Sequence, residues 1–571
     1  MDTIKLYNIW KQKATKDPDL IKELENIENS PSEIDERFYK ELEFGTGGLR
    51  GVIGAGTNRM NVYTVAKATQ GFANYILKAF QNPTVAISYD SRIKSDLFSK
   101  TAACCFAANG IKVHLYRELM PTPLLSFAVR ELHCAAGVMV TASHNPSKYN
   151  GYKAYGPDGC QLSLSASAAV LDEVNKLDPF NDVKTISFDE ALKNGTIEYI
   201  SDAVIEKFLV TVEAEAINPG ICKDSHLKVI YTPLNGTGNK PVRAILKRIG
   251  IENVSVVKEQ ELPDGNFPTA PYPNPEIREA FDCALKMAET EPADLLLATD
   301  PDCDRVGIAV KNGDGYQLIS GNQVGALLLD YVLKCRTQND TMPKNPVAVT
   351  TVVTSTITKK IAKKYNVDLK IVLTGFKFIG GVITELEKEN RENDYVFGFE
   401  ESYGYLSGGY VRDKDAVDAS MLICEMACYY KKQNKSLLDV LEELSQEFGY
   451  YCNEQISFTC EGETGMERMA EIMKELRENT PKEIAEIKTL SVDDYELSKS
   501  TDLKSSDTKT ITLPKSNVLA FHLENGSSVT VRPSGTEPKI KVYLEAVETD
   551  PETAHALAEK LKADISRKMG F

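Results

Sequence analysis

Between residues 85 and 397 one pattern recurs three times: a short apolar strand, a loop carrying glycine, serine or carboxylates, and an amphipathic helix. The first run predicts a strand at 85–89, a helix ending at Gly110, a strand at 112–116, a helix after Pro121-Thr122-Pro123 and a strand at 137–140. The second predicts a strand at 228–231, the loop Asn235-Gly236-Thr237-Gly238, a helix to Gly250, and strands at 254–257 and 294–298. The third predicts a strand at 347–353, a helix to Tyr365, a strand at 369–373, a helix after Gly380 and a strand at 395–397. Strands alternating with helices imply parallel or mixed sheets. Such sheets carry their ligands on the loops at the carboxyl ends of the strands.

The two ends of the chain read differently. Residues 2–41 are charged and helical in pattern, with a new helix start at Ser30-Pro31-Ser32. From about Gly449 onward the pattern predicts a helix near 464–479 and strands near 518–523, 528–531 and 540–545. A closing helix follows Asp550-Pro551, a cap followed by proline at the first helical position. At 571 residues the chain exceeds one compact domain. The expected class is α/β: three similar α/β domains with mixed sheets, followed by a smaller α+β C-terminal domain. Boundaries near 205, 322 and 448 give domains 1–205, 206–322, 323–448 and 449–571.

A formal net charge of −16 argues against general binding to nucleic acid or to an anionic membrane. An anionic substrate would need cationic groups concentrated locally, which makes isolated Arg and Lys in loops informative. The twelve cysteines include no C-x-x-C; Cys104 and Cys105 are adjacent, and Cys424 and Cys428 are one helical turn apart. Buried reduced thiols are expected rather than zinc or disulfides. The first fifteen residues lack an apolar core, and no apolar run reaches about 18 residues. These features predict a cytoplasmic protein with no membrane and no nucleic-acid partner.

Four loops carry candidate chemistry. Thr141-Ala142-Ser143-His144-Asn145-Pro146 puts a serine beside a histidine at a strand's carboxyl end, a placement suited to a nucleophile or phosphoryl carrier. A cap or turn would use the same residues. Asp300-Pro301-Asp302-Cys303-Asp304-Arg305 sets three carboxylates at alternate positions in one tight turn. They repel one another unless a cation sits among them, and hard oxygen ligands favour Mg²⁺ or Mn²⁺. An EF-hand is disfavoured, because its glycine and glutamate positions hold Arg305 and Lys311. A solvated acidic turn is the ordinary alternative. In Gly398-Phe399-Glu400-Glu401-Ser402-Tyr403-Gly404, the side chains of Glu400 and Ser402 suit sugar hydroxyls, while an exposed Glu pair is commonly surface alone. Arg532-Pro533-Ser534-Gly535-Thr536-Glu537-Pro538 combines a guanidinium fork, hydroxyls and accessible N–H groups, as a phosphate cradle does; a hairpin turn is the alternative. Four such loops, one in each domain, exceed what the four ordinary readings predict.

The ordered set T-A-S-H-N-P, D-P-D-C-D-R, G-F-E-E-S-Y-G and R-P-S-G-T-E-P resembles the α-D-phosphohexomutase superfamily. The likeness begins at Glu43-Phe44-Gly45-Thr46-Gly47-Gly48-Leu49-Arg50-Gly51 and covers nearly the whole chain. It is nearest the long bacterial phosphoglucomutase branch and its pentose-phosphate relatives. The resemblance implies four domains around a central cleft and Ser143 as a phosphoserine. It implies one Mg²⁺ per chain, held by Asp300, Asp302 and Asp304 with Ser143. Arg305 would steady the phosphoserine, while Arg50, His144, Lys153 and Lys414 match positions near the reacting groups. Thr374, Gly375, Glu400 and Ser402 would bind the sugar. Arg532, Ser534, Gly535 and Thr536 would hold the phosphate that is not reacting. Phe376 stands where the animal phosphoglucomutases have tryptophan. The implied partners are small-molecule sugar phosphates. The implied reaction interconverts glucose 1-phosphate and glucose 6-phosphate, with glucose 1,6-bisphosphate as intermediate and activator. Mannose or pentose phosphates are the alternative substrates. A metal-dependent sugar phosphatase and a non-catalytic sensor are the alternative classes.

Overall fold

The computed structural model describes residues 2–45, 47–460, 465–534 and 539–571. Three central strands, Ala136–Val140, Leu295–Thr299 and Val347–Thr351, are buried along their whole length. Strands covered by helices on both faces have this property, and each lies in a mixed sheet.

The first sheet runs Gly48–Val52, Tyr149–Tyr155, Ala136–Val140, Thr84–Tyr89, Lys112–Leu115, Ile197–Tyr199. Its first two pairings are antiparallel and the last three parallel. The second runs Gly315–Ile319, Val306–Asn312, Leu295–Thr299, Lys228–Thr232, Asn253–Val256, again antiparallel and then parallel. The third is Asp368–Val372, Val347–Thr351, Tyr395–Glu400, Gly404–Leu406. The fourth is antiparallel and opens with Tyr450–Thr459 beside Lys539–Glu548, with Ser528–Pro533 next. Helix Pro551–Met569, capped by the Asp550 carboxylate on Thr553 N, packs against it. Three mixed α/β sheets and a C-terminal antiparallel sheet match the class read from the sequence.

Two expected limits move. The helix placed after Gly380 begins at Phe376 and runs to Lys388. Gly380 sits inside it because a Cβ there would meet the Arg412 carbonyl oxygen at 2.4 Å. The strand expected to stop at Phe397 continues through Glu400, so Gly398, Phe399 and Glu400 belong to a strand rather than a loop. Pairing with Gly404–Leu406 extends it, a short partner that the pattern did not reveal. The edge strand Tyr450–Thr459 was also not expected; it is half-buried as far as Glu454, then alternates exposed and half-buried residues, and carries no continuous apolar run.

One apolar core extends without a break from Ala86 in the first sheet region to Leu444. Helix Ala416–Lys431 crosses its middle and is buried on nearly every face. The C-terminal sheet instead closes its own core around Phe521, Val531, Val542 and Leu561. A small cluster of Leu373, Tyr495, Val518 and Ala520 joins it to the rest, as does Glu545, which accepts Thr356 N at 2.8 Å. The first three units are thus welded and the fourth is attached lightly. All twelve cysteines are free and ten are buried. No helix among the described residues is long and apolar enough to cross a membrane.

Candidate active site

Strand Ala136–Val140 delivers the first loop. Thr141 turns its hydroxyl back to accept Ser143 N at 2.8 Å and donates to Asp90 Oδ2 at 2.6 Å. Ser143 is buried and takes a left-handed backbone, φ 51°, which a non-glycine residue adopts at some cost when its surroundings fix it. Gly151 permits this fit, since a Cβ there would lie 2.4 Å from the Thr141 carbonyl oxygen.

Strand Leu295–Thr299 delivers the acidic loop to the same place. Asp300 Oδ1 accepts the N–H groups of Asp304 and Arg305 at 3.1 and 3.0 Å, which closes the turn. Its Oδ2 accepts the Ser143 hydroxyl at 2.9 Å. Thr122, at the start of helix Thr122–Glu131, donates its N–H to the Asp302 carbonyl and its hydroxyl to Asp302 Oδ2, at 2.9 and 2.8 Å. Thr237 N donates to the Pro301 carbonyl at 2.8 Å, so the glycine-containing loop at 235–238 buttresses the turn.

The cations come from three sheets. Lys153 Nζ lies 2.7 Å from Asp302 Oδ2 and 3.2 Å from Asp304 Oδ2. Lys414 Nζ lies 3.2 Å from Asp304 Oδ2, 3.0 Å from Asp413 Oδ1 and over the Phe376 ring. Arg305 Nη1 lies 2.6 Å from Glu276 Oε1. Glu276 and Asp413 already engage Arg305 and Lys414, so the three aspartates keep an excess of negative charge.

The titration behaviour follows. Burial, reinforced by Asp302 and Asp304, pushes the Asp300 carboxyl well up. Burial also opposes ionisation of Asp304, but Lys153, Lys414 and Arg305 outweigh it and hold that carboxyl below the usual range. Burial works against the Lys153 and Lys414 ammonium groups, yet the neighbouring carboxylates raise both. The His144 imidazole is held well below its usual value by burial and then by Arg305 and Arg50, so it is neutral near pH 7. Its Nδ1 lies 3.2 Å from Ser143 Oγ.

The aspartate cluster fits a divalent cation. The three side chains bring one oxygen each to within 4.8 Å of one another. Asp302 Oδ1 and Asp304 Oδ1 are buried without a hydrogen-bond partner. Buried carboxylate oxygens are costly without a donor or a cation. The all-oxygen donor set suits a hard ion.

At the third sheet, Glu400 on its strand and Thr374 in the turn after strand Asp368–Val372 face a similar situation. Glu400 Oε1 and Thr374 Oγ1 are buried and accept or donate no hydrogen bond among the described residues. Gly375 N–H supports the Glu400 carboxylate, and burial raises that carboxyl against the pull of Lys414 and Arg305. Ser402 lies half-buried just beyond. Arg50 is exposed on strand Gly48–Val52, in electrostatic reach of His144.

The fourth loop is described in part. Arg532 lies on strand Ser528–Pro533, and Ser534 N donates to the Lys539 carbonyl at 2.7 Å. Gly535 and Thr536 fall outside the described residues. Lys541 is directly cross-strand from Arg532. The field of Glu276, Arg305 and Glu401 reaches Lys541, so this face of the fourth sheet looks toward the aspartate side.

Three contributors escaped the sequence reading. Arg92 donates to the carbonyls of Ser143, Asn145, Pro146 and Tyr149, the last two at 3.0 Å each. Asp90 receives the Thr141 and Ser95 hydroxyls. Both follow strand Thr84–Tyr89, the parallel neighbour of the strand that leads to Ser143; position at the same sheet edge was the available signal. Lys541 was signalled by its alternation with Ile540 and Val542 in a strand next to Arg532.

Comparison with known proteins agrees with this arrangement. Residues 41–180, 205–313 and 320–448 match alpha/beta/alpha domains I, II and III of phosphoglucomutase/phosphomannomutase, and 466–563 match the C-terminal domain of that family. A phosphoglucomutase of Staphylococcus epidermidis is 39% identical over 531 residues, 92% of this chain and 94% of that protein. A phosphoglucomutase of Staphylococcus aureus is 39% identical over 520 residues, 90% of this chain and 91% of that one. The open form of the Paramecium phosphoprotein pp63/parafusin superposes with a TM-score of 0.71 at 18% identity, covering 93% of this chain and 96% of that one, and so shares the fold. Four matched domains in order, with close relatives along nearly the full length, establish that the chain belongs to the phosphoglucomutase/phosphomannomutase family.

Proposed function

We propose that the chain interconverts glucose 1-phosphate and glucose 6-phosphate by way of phosphorylated Ser143 and a glucose 1,6-bisphosphate intermediate. The observation that carries this reading is the Ser143 hydroxyl, 2.9 Å from Asp300 inside a cluster that also holds Lys153 and Lys414. The phosphoglucomutase relatives at 39% identity support glucose as the sugar.

Each of four domains, 1–205, 206–322, 323–448 and 449–571, contributes one part. Asp300, Asp302 and Asp304, with a Ser143 phosphate oxygen, would hold Mg²⁺. The ion would supply charge neutralisation at the transferring phosphoryl group. Arg305 orients the phosphoserine. His144, neutral beside Ser143, and Lys153 are placed to hold and pass the sugar hydroxyl proton; Lys414 and Arg50 add positive charge around the group in transit. Thr374, Gly375, Glu400 and Ser402 orient the sugar ring. Arg532, Ser534, Gly535 and Thr536 hold the other phosphate. The same subsites must accept either end of the sugar, since the bisphosphate reacts in both orientations. Catalytic glucose 1,6-bisphosphate would recharge any dephosphorylated Ser143 and activate the enzyme.

A side-by-side assay with the 1-phosphates of glucose, mannose and ribose tests the reading. The expected result is the highest kcat/KM for glucose 1-phosphate, with no net release of inorganic phosphate. A higher kcat/KM for mannose or ribose 1-phosphate would reassign the substrate. Stoichiometric phosphate release would make the protein a phosphatase.

A further inference from the structure

On the far side of the C-terminal sheet, away from the aspartate loop in sequence and in function, a second group of metal-binding side chains converges. Strand Tyr450–Thr459 places Cys452 and Glu454 on one face, because side chains two apart in a strand point the same way. Helix Pro551–Met569 packs against that strand and brings His555 over the pair. Cys452 Sγ lies 3.9 Å from His555 Nδ1, and His555 Nδ1 lies 3.8 Å from Glu454 Oε1. One ligand atom from each of the three lies within 4.8 Å of the others.

We infer that Cys452, Glu454 and His555 form a site for a borderline divalent transition-metal ion, with Zn²⁺ the best match. Thiolate, imidazole and carboxylate together select this class over the hard cations of the aspartate loop. Tetrahedral Zn²⁺ at its usual bond lengths requires about 3.6 Å between sulfur and nitrogen and about 3.3 Å between nitrogen and oxygen. The two pairs that include His555 need close by only a few tenths of an ångström, within the freedom of its side chain, which is 70% exposed, and the Cys452–Glu454 pair lies within 4.8 Å. That exposure leaves a fourth position for water.

The surroundings favour a cation. Glu454 places a carboxylate beside the Cys452 and His555 side chains, and a bound cation would stabilise the thiolate form of Cys452. Lys562 opposes it with one positive charge, 4.0 Å from Glu454 Oε2 and 3.5 Å from Glu559 Oε1, on a side chain that is 41% exposed. Glu559 lies one helical turn beyond His555 and adds negative charge on the same face of the helix. A metal here would pin the closing helix to the strand that begins immediately after Gly449, where the lightly attached fourth unit leaves the welded three.

The test is a titration of the full-length protein with Co²⁺, in excess Mg²⁺ to occupy the oxygen-ligand site. The expected result is one equivalent of near-ultraviolet thiolate-to-cobalt absorption, discharged by Zn²⁺. Cys452→Ser should abolish the band. His555→Ala, at an exposed position that leaves the fold intact, should weaken Co²⁺ affinity at least tenfold. Absence of the band in the wild type would overturn the inference. So would its persistence in Cys452→Ser, or wild-type affinity in His555→Ala.

Discussion

The Ser143 hydroxyl donates to Asp300 Oδ2 at 2.9 Å, across 157 residues of chain and between two different sheets. One carboxylate therefore closes its own turn with one oxygen and orients the proposed phosphoryl carrier with the other. Ser143→Ala removes the carrier and keeps a Cβ, so the left-handed backbone bears the cost it already bears with serine. Turnover should fall to background and the melting temperature should stay near wild type. Intact-mass analysis after glucose 1,6-bisphosphate treatment should show one added phosphate on the wild type and none on the variant. Appreciable mutase activity in the variant would sink the carrier assignment.

Asp300→Asn separates the two jobs of that carboxylate. The amide oxygen can still accept the Asp304 and Arg305 N–H groups, but one of three mutually repelling charges is gone. Metal-free Asp300→Asn should therefore melt no lower than the metal-free wild type, although it is inactive. Wild-type protein should gain about 2.7 kcal/mol when Mg²⁺ is present at a hundred times its Kd. The variant should gain little. Thorough chelation should silence the wild type and Mg²⁺ should restore it; activity that survives chelation would show the acidic loop to be only a turn.

Arg92 and Asp90 form a buried ion pair, Nε to Oδ2 at 3.4 Å, beneath the Ser143 loop. Arg92→Met strands Asp90 in the interior and releases four loop carbonyls. Breaking one side of a buried pair costs about 3–5 kcal/mol, and kcat should drop as the serine loses its fixed position. Asp90→Asn added to that background should recover part of the stability but not the activity. Urea unfolding of the two single variants and the double variant measures the coupling. Additive effects would mean that the two residues act separately.

The four candidate segments stood out in the sequence because their residue types are chemically unusual for turns, such as three alternate carboxylates, a serine–histidine pair or an arginine among hydroxyls; the structure brings the serine and carboxylate segments into contact. Fold class was legible for a different reason, the threefold strand–helix alternation. Arg92 and Asp90 were not legible, since Tyr89-Asp90-Ser91-Arg92 reads as an ordinary polar turn. Only the strand order, which sets Thr84–Tyr89 beside Ala136–Val140, reveals that it shares an edge with Ser143. The start of helix Phe376–Lys388 was misplaced because glycine lowers helix propensity, whereas Gly380 is retained within the helix where the Arg412 backbone approaches it. The cross-domain ion pairs of Lys153 and Lys414 depend on the docking of three sheets, which local pattern does not contain.

Glu401 provides a pH signature. Burial and then the neighbouring Glu400 raise its carboxyl from 4.5 to about 7, against a hydrogen bond from Thr351. Between those two values the folded protein holds a proton that the unfolded chain has released. Stability from this group is therefore lost as pH rises through that window. Glu401→Gln has no such proton to lose. Relative to wild type, the variant should become more stable on going from pH 5 to pH 8, as read from paired thermal or urea unfolding curves. Parallel pH profiles for the two proteins would remove Glu401 from the account.

Arg532 should act on binding, in a way that differs from Ser143. It sits on the separately cored C-terminal sheet, directly opposite Lys541, where two like charges facing each other call for an anion between them. A guanidinium makes charge-assisted hydrogen bonds to phosphate, worth roughly 1.5–3 kcal/mol each. Arg532→Ala should therefore raise KM for glucose 1-phosphate by about one to two orders of magnitude, given tenfold per 1.4 kcal/mol. Some loss of kcat should follow, because binding energy at the remote phosphate helps orient the reacting end. Ser143 lies on the first sheet with its own support from Thr141, Arg92 and Asp300, so excess glucose 1,6-bisphosphate should still phosphorylate it in the variant. Steady-state kinetics and intact-mass measurement on one preparation separate the two effects. Unchanged KM and kcat would place the remote phosphate elsewhere, and failure of Ser143 to take up phosphate would mean that the fourth domain is needed to assemble the carrier site itself.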